Sequence, residues 1–163
     1  MLKNLFKKKD TNADLVSPLT GKVVPLEEVP DQVFSQKMMG EGIAVDPTSN
    51  LVVSPVDGEV VDVFKTKHAI SLRADNGAEI LVHMGLETVE LNGEGFEIKV
   101  NNGDKVKKGD NLADFDVESV KAKGYKTITP IILMNGEDYN LTNISFAEEV
   151  KAGSEILFHI EAK

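Results

Sequence analysis

The sequence predicts an all-β fold, an antiparallel β-sandwich or flattened barrel with duplicated hairpin units and one or two very short helices. Two observations carry this expectation. From Leu15 onward, short β-branched runs alternate with turn dipeptides: Asn-Gly at residues 76–77, 92–93, 102–103 and 135–136, and Asp-Gly at residues 57–58. An internal repeat is also visible. Ser17-Pro-Leu-Thr-Gly-Lys-Val-Val24 matches Ser54-Pro-Val-Asp-Gly-Glu-Val-Val61 at five of eight positions, and Val106-Lys-Lys-Gly-Asp-Asn-Leu112 resembles Val150-Lys-Ala-Gly-Ser-Glu-Ile156.

Only two stretches read as helical. Asp31 to Met39 follows Pro30 and carries Val33, Phe34 and Met38 as an apolar stripe. The other runs from Asp116 as N-cap to Gly124 as the C-terminal stop.

The 163 residues suit one folded domain able to bury roughly two thirds of the surface its unfolded chain exposes. With 41% hydrophobic and 28% charged residues the composition is that of a globular protein. The lack of cysteine excludes a disulfide framework, a thiolate zinc site and a cysteine nucleophile. No apolar run approaches the ~20 residues of a membrane-spanning helix, and the lack of a secretory apolar region points to a cytoplasmic protein.

A net charge of −9 argues against nucleic acid as a partner. The charge is uneven. Residues 1–10 hold four lysines against one aspartate, a net of +3, which leaves −12 for the rest. Leu2, Leu5 and Phe6 are spaced to share one helical face, with lysines opposite. Residues 1–14 therefore read as a basic amphipathic tail plus a polar linker from Asp10 to Asp14, suited to weak contact with an anionic membrane, and residues 15–163 as the domain. A frayed solvated terminus accounts for the tail equally well.

The chain has three histidines. His159, in the apolar run Ile156-Leu-Phe-His-Ile160, reads as structural. His68 and His83 lie on two strand-like runs flanking Asp75-Asn76-Gly77. If Ala74 pairs with Gly77, paired residues sum to 151, and His68 faces His83 across the hairpin with Cβ atoms about 5 Å apart. A one-residue slip sends the two to opposite faces, and an Asn76-Gly77 turn or a three-residue loop with a left-handed Gly77 is open to this sequence too. Alternation puts Thr66 on the His68 face and Leu81 on the His83 face. A neutral imidazole is a nucleophile near pH 7, and a second one can donate a hydrogen bond to phosphoryl oxygens. Thr66 could select the tautomer of His68, and Gly85 would leave the His83 ring open to a partner's backbone.

Val82-His-Met-Gly-Leu-Glu-Thr-Val-Glu-Leu-Asn-Gly-Glu-Gly-Phe96 resembles the active-site segment of glucose-type enzyme IIA proteins of the bacterial phosphoenolpyruvate sugar phosphotransferase system. Thr66-Lys67-His68-Ala69 resembles the segment supplying that family's second histidine. The matches Ser17-Pro-Leu-Thr-Gly21, Phe34 to Ala44, Ser54-Pro-Val-Asp-Gly58 and Val106-Lys-Lys-Gly-Asp110 extend the resemblance over residues 15 to 160.

The resemblance implies that His83 accepts a phosphoryl group from the carrier HPr and passes it to a cysteine of a glucose-type permease's IIB domain. It implies that His68 stabilises the group and Thr66 orients His68. It assigns Val33, Phe34, Met38, Met39, Phe64, Leu81, Glu87 and Val89 to the surface that docks partners, with Leu81 as the best candidate for functional exposure. Some relatives carry Asp where this chain has Glu87. Regulatory protein targets are known in the family, and a zinc ion can be shared by the two histidines and a partner's carboxylate. Two nitrogens alone make an incomplete site, so no intrinsic cofactor or metal is expected. The rivals are a lysostaphin-like zinc peptidase, whose His-x-His motif is broken here by Leu81, and a biotinyl or lipoyl carrier, of which Asp104-Lys105-Val106 is a faint echo.

Overall fold

The computed structural model describes residues 11–163; the expected amphipathic tail lies outside them. Among the described residues fourteen strands form: β1 (Asn12–Val16), β2 (Gly21–Pro25), β3 (Glu41–Pro47), β4 (Leu51–Val53), β5 (Gly58–Val63), β6 (Ala69–Ala74), β7 (Glu79–His83), β8 (Phe96–Ile98), β9 (Lys105–Val106), β10 (Asn111–Phe115), β11 (Thr129–Leu133), β12 (Tyr139–Thr142), β13 (Glu149–Val150) and β14 (Ile156–Ala162). Strand β1 starts within the stretch expected to be linker.

All pairings are antiparallel. One eight-stranded sheet has the order β13-β2-β3-β11-β7-β6-β5-β9; two three-stranded sheets have the orders β1-β14-β12 and β4-β10-β8. The inner face of the large sheet contributes Ile43, Ile70, Leu72, Ile80, Val82 and Ile131 to a core that also takes Leu15, Phe158, Leu112 and Phe115 from the small sheets. This is a β-sandwich, as expected, and burial of these side chains is its main stabilisation.

The repeat in the sequence is a repeat in the fold. The large sheet reads symmetrically about its centre, β13-β2-β3-β11 against β9-β5-β6-β7, and the small sheets correspond strand for strand. The hydrogen bonds repeat as well. Ser17 Oγ donates to Leu19 O at 2.5 Å and Ser54 Oγ to Val56 O at 2.7 Å, both serines being wholly buried. Val16 N–H bonds Pro55 O while Val53 N–H bonds Pro18 O. Gly21 and Gly58 recur because a Cβ at either would sit 2.0 Å from the carbonyl oxygen of the neighbouring strand. One unit, β4 to β10, is contiguous. The other is split around it, into β1 to β3 and β11 to β14.

The outer face of the large sheet has its own apolar cluster. Ala44, Ala69, Leu81 and Ile132 are covered by Leu26, Val29, Phe34 and Leu86. Leu86 comes from the loop after β7, and Leu26, Val29 and Phe34 come from the segment after β2. Its helix is a single turn, Gln32–Ser35, shorter than the stretch to Met39 read from the sequence. Asp31 caps it by accepting from Val33 N–H at 2.9 Å. It stops where Lys37 and Gly40 take positive φ, with the Lys37 ammonium between Glu27 and Glu41 at 3.3 and 2.9 Å. The second helix, Val117–Ala122, begins at Asp116 and ends before left-handed Gly124, as expected.

Candidate functional site

The β6–β7 hairpin has the three-residue loop, not the two-residue one. Gly77 is left-handed at φ 92°, its N–H bonds Ala74 O, and the ladder pairs Ala69 with His83 and Arg73 with Glu79. Paired residues sum to 152, so the tested facing register is off by one. Regular alternation would then put His68 and His83 on opposite faces. They nevertheless meet, with ring centroids 4.9 Å apart and planes at 80°. The reason is local. His68 precedes β6, and Lys67 takes a left-handed φ of 62°, which breaks alternation and turns the His68 ring onto the His83 side.

His83 ends β7. Its Nδ1 lies 2.7 Å from the Gly85 carbonyl oxygen. A carbonyl only accepts, so Nδ1 carries the proton and the neutral ring keeps its lone pair on Nε2. The loop behind it is fixed. Thr88 Oγ1 donates to Met84 O at 2.6 Å, and Leu86 N–H donates to Lys126 O at 3.0 Å. Gly85 has a φ of 80°, and a Cβ there would sit 2.7 Å from Thr88 Cγ2 and 2.8 Å from Lys126 O. Its role is this close packing rather than the open approach read from the sequence, because Gly85 is buried.

His68 is 4% exposed, and its Nδ1 is 2.7 Å from Thr66 Oγ1. Burial, with the neighbouring His83 ring adding to it, pushes the His68 imidazole down to about 4. Burial also lowers His83, opposed by the Gly85 carbonyl and the charge of Asp31. Both rings are thus held neutral near pH 7. Phe34 packs on His83 with centroids 4.9 Å apart, and Phe64 meets His68 edge-on at 5.5 Å.

The eight residues expected on the docking surface divide. Val33, Met38, Met39, Phe64, Glu87 and Val89 are exposed, Met38 most of all at 70%. Leu81 and Phe34 are not, at 1% and 4%. Leu81 does share the His83 face, but that face is the one roofed by residues 26–34, so its expected exposure is corrected. Phe34 serves from below, as the roof residue against the His83 ring. Asp31 was missed as a site residue; the signal was its place as a helix cap three residues before Phe34. His159 lies apart from the pair, between Asp14 at 2.7 Å and Asn12 at 3.3 Å, partners that the apolar run around it did not reveal. Among the described residues, no cluster of three or more His, Cys, Asp or Glu side chains could hold a metal ion.

Fold and site together define a duplicated β-sandwich with an imidazole pair at the adjoining ends of two inner strands, β6 and β7, of its larger sheet. Residues 13–139 match the family model of the phosphoenolpyruvate-dependent sugar phosphotransferase system, EIIA 1. The chain is 52% identical over 161 residues to the PTS system glucose-specific EIIA component of Oceanobacillus iheyensis, covering 96% of this chain and 98% of that one. It is 50% identical over 147 residues to the corresponding Staphylococcus aureus component, covering 88% and 89%. Among solved structures, the glucose permease IIA from Mycoplasma capricolum superposes with a TM-score of 0.86 at 36% identity, over 94% of this chain and 99% of that one. The chain belongs to this EIIA family. Neither the zinc-peptidase nor the biotinyl or lipoyl reading finds support in these likenesses.

Proposed function

We propose that the chain is the phosphocarrier of a glucose-type phosphotransferase system, with His83 Nε2 as the atom that carries the phosphoryl group. The observation behind the assignment is the 2.7 Å bond from His83 Nδ1–H to Gly85 O, which leaves Nε2 as the free nucleophile. The lone pair on Nε2 attacks phosphorus of phospho-HPr; the new P–N bond forms as the donor's P–N bond breaks, and the donor ring recovers its electron pair. With Nδ1 still protonated, the phosphorylated ring bears positive charge. The Gly85 carbonyl and Asp31 stabilise that charge. In the second transfer a IIB cysteine thiolate attacks phosphorus, a P–S bond forms, and the P–N electrons return to His83.

His68 acts beside it. When Thr66 donates its hydroxyl proton to Nδ1, the Nε2–H of His68 is free to donate to the transferring group, whose transition state depends on positioning and charge stabilisation. The exposed Val33, Met38, Met39, Phe64 and Val89 form the apolar docking rim, with Glu87 as its carboxylate. A zinc ion shared with a partner fits only as an intermolecular site. Each Nδ1 is engaged within the chain, leaving two nitrogens of the four ligands that zinc takes. The reading places the chain in the cytoplasm, meeting the inner membrane face when it docks on the permease, with the basic tail as a weak second contact. Regulatory partners would use the same rim.

The test is phosphorylation with phosphoenolpyruvate, enzyme I and HPr, followed by peptide mapping under alkaline conditions. His83→Ala should abolish the phosphorylated species, and His68→Gln should accept slowly and fail more severely in donating to IIB. A phosphoryl group found on His68 overturns the assignment. Deleting residues 1–9 should abolish sedimentation with anionic vesicles while leaving acceptance from HPr unchanged; equal sedimentation overturns the tail contact.

A further inference from the structure

The chain carries four Asn-Gly pairs. In such a pair the glycine backbone nitrogen can attack the asparagine side-chain carbonyl carbon, because no Cβ on the glycine obstructs it. Attack forms a cyclic succinimide and expels ammonia; water then opens the ring to aspartate or isoaspartate. The reaction needs only water and a mild base. It requires a carboxamide free to turn and a glycine N–H free of other bonds.

Three of the four pairs are held. The Asn76 carboxamide donates to Thr11 O and Ile160 O and accepts from Ala78 N–H, while Gly77 N–H bonds Ala74 O. The Asn102 carboxamide bonds Val63 N–H and Asp62, while Gly103 N–H bonds Val60 O. The Asn135 carboxamide accepts from Glu79 N–H and donates to Gly77 O. Asn92 is different. It is exposed, among the described contacts its carboxamide has no partner, and the Gly93 N–H bonds no described carbonyl. Its backbone is left-handed at φ 53°, ψ 36°, a conformation that asparagine adopts more readily than most other non-glycine residues. Rotation out of it is opposed by two long bonds, Asn92 N–H to Val89 O and Phe96 N–H to Gly93 O, both 3.3 Å.

We propose that Asn92 is a spontaneous deamidation site, the one Asn-Gly pair in this fold that converts to aspartate or isoaspartate in the native protein. The product places a new carboxylate on the exposed residue that precedes Gly93, the glycine that packs near the Lys67 stem. Residue 92 also closes the short turn that carries Val89, so isoaspartate lengthens the backbone at that turn by one methylene. The chemistry stands independently of the functional reading above.

The experiment is ageing of the full-length protein at mildly alkaline pH, with proteolytic mapping of amide-to-acid conversion and of isoaspartate at all four sites. In the native protein Asn92 should react faster than each of the others, whose carboxamides must first break at least two hydrogen bonds; at about 1 kcal/mol each these correspond to roughly thirtyfold, and the two long backbone bonds at Asn92 reduce that factor. In urea the four rates should converge, and Asn92→Gln should remove the fast phase alone. Native conversion led by Asn76, Asn102 or Asn135, or an Asn92 rate no higher than theirs, overturns the proposal. A rate difference that persists in urea overturns it too, by tracing the selectivity to sequence and not to the fold.

Discussion

The His68 and His83 rings stand edge to face with centroids 4.9 Å apart, although the strand partner of His83 is Ala69. The pairing of the imidazoles is thus the work of the irregular turn before β6, with Lys67 left-handed and Thr66 bonded to the ring.

That arrangement makes Thr66 separable from the fold. Thr66→Val keeps the shape and removes the hydroxyl, so phosphoryl donation to IIB should fall while Thr66→Ser restores it. Thermal midpoints of both variants should stay near that of the parent. A loss that serine does not rescue would assign Thr66 to packing alone.

The lowered imidazole pKa values give a pH dependence with a definite sign. A histidine whose native value is depressed leaves stability intact above its unfolded value near 6.5 and erodes it as pH falls. For His68 the window runs from about 6.5 to about 4. His68→Gln should flatten the acid limb of a stability–pH curve by up to one proton's slope, at most about 1.4 kcal/mol per pH unit. Denaturant titrations at several pH values check this; parallel curves for the two proteins would contradict it.

Leu81 belongs to the roofed cluster, so its truncation is a stability experiment. Leu81→Ala should cost about 2–5 kcal/mol, and Leu81→Asp should prevent stable folding by burying an unpaired charge. An unchanged melting curve for Leu81→Asp would return this residue to the exposed rim.

Met38 offers the contrasting case. At 70% exposure, Met38→Asp should shift stability by no more than about 0.5 kcal/mol while slowing transfer both from HPr and to IIB. Unchanged transfer rates would remove Met38 from the docking rim.

Much of this fold is legible in the sequence because turn chemistry is local. Asp116 and Gly124 bound their helix, and the repeated Ser-Pro-x-x-Gly wording marks two corners with the same serine bond. The histidine pair was legible as an arithmetic possibility, but its register depended on whether Gly77 closed a two- or three-residue loop. No neighbouring residue decides that. Leu81 was misjudged for a different reason. Alternation says which face a residue shares, and only tertiary structure says what covers that face. The same holds for His159, whose acidic partner arrives from β1 at the far end of the chain.

The nesting of one unit inside the other also orders events in time. Strands β4 to β10 are contiguous, so residues 51–115 can close most of their pairings soon after leaving the ribosome, with the segments bearing both imidazoles among them. Strand β1 must wait for β14, across a separation that spans almost the whole chain, and such loop closure is slow. Pulse-labelled amide exchange during refolding should therefore show protection at β5 and β6 before β1 and β14. The imidazole-bearing hairpin would exist in the nascent chain before the molecule around it is complete, and simultaneous protection of all four strands would show that the two halves cannot form apart.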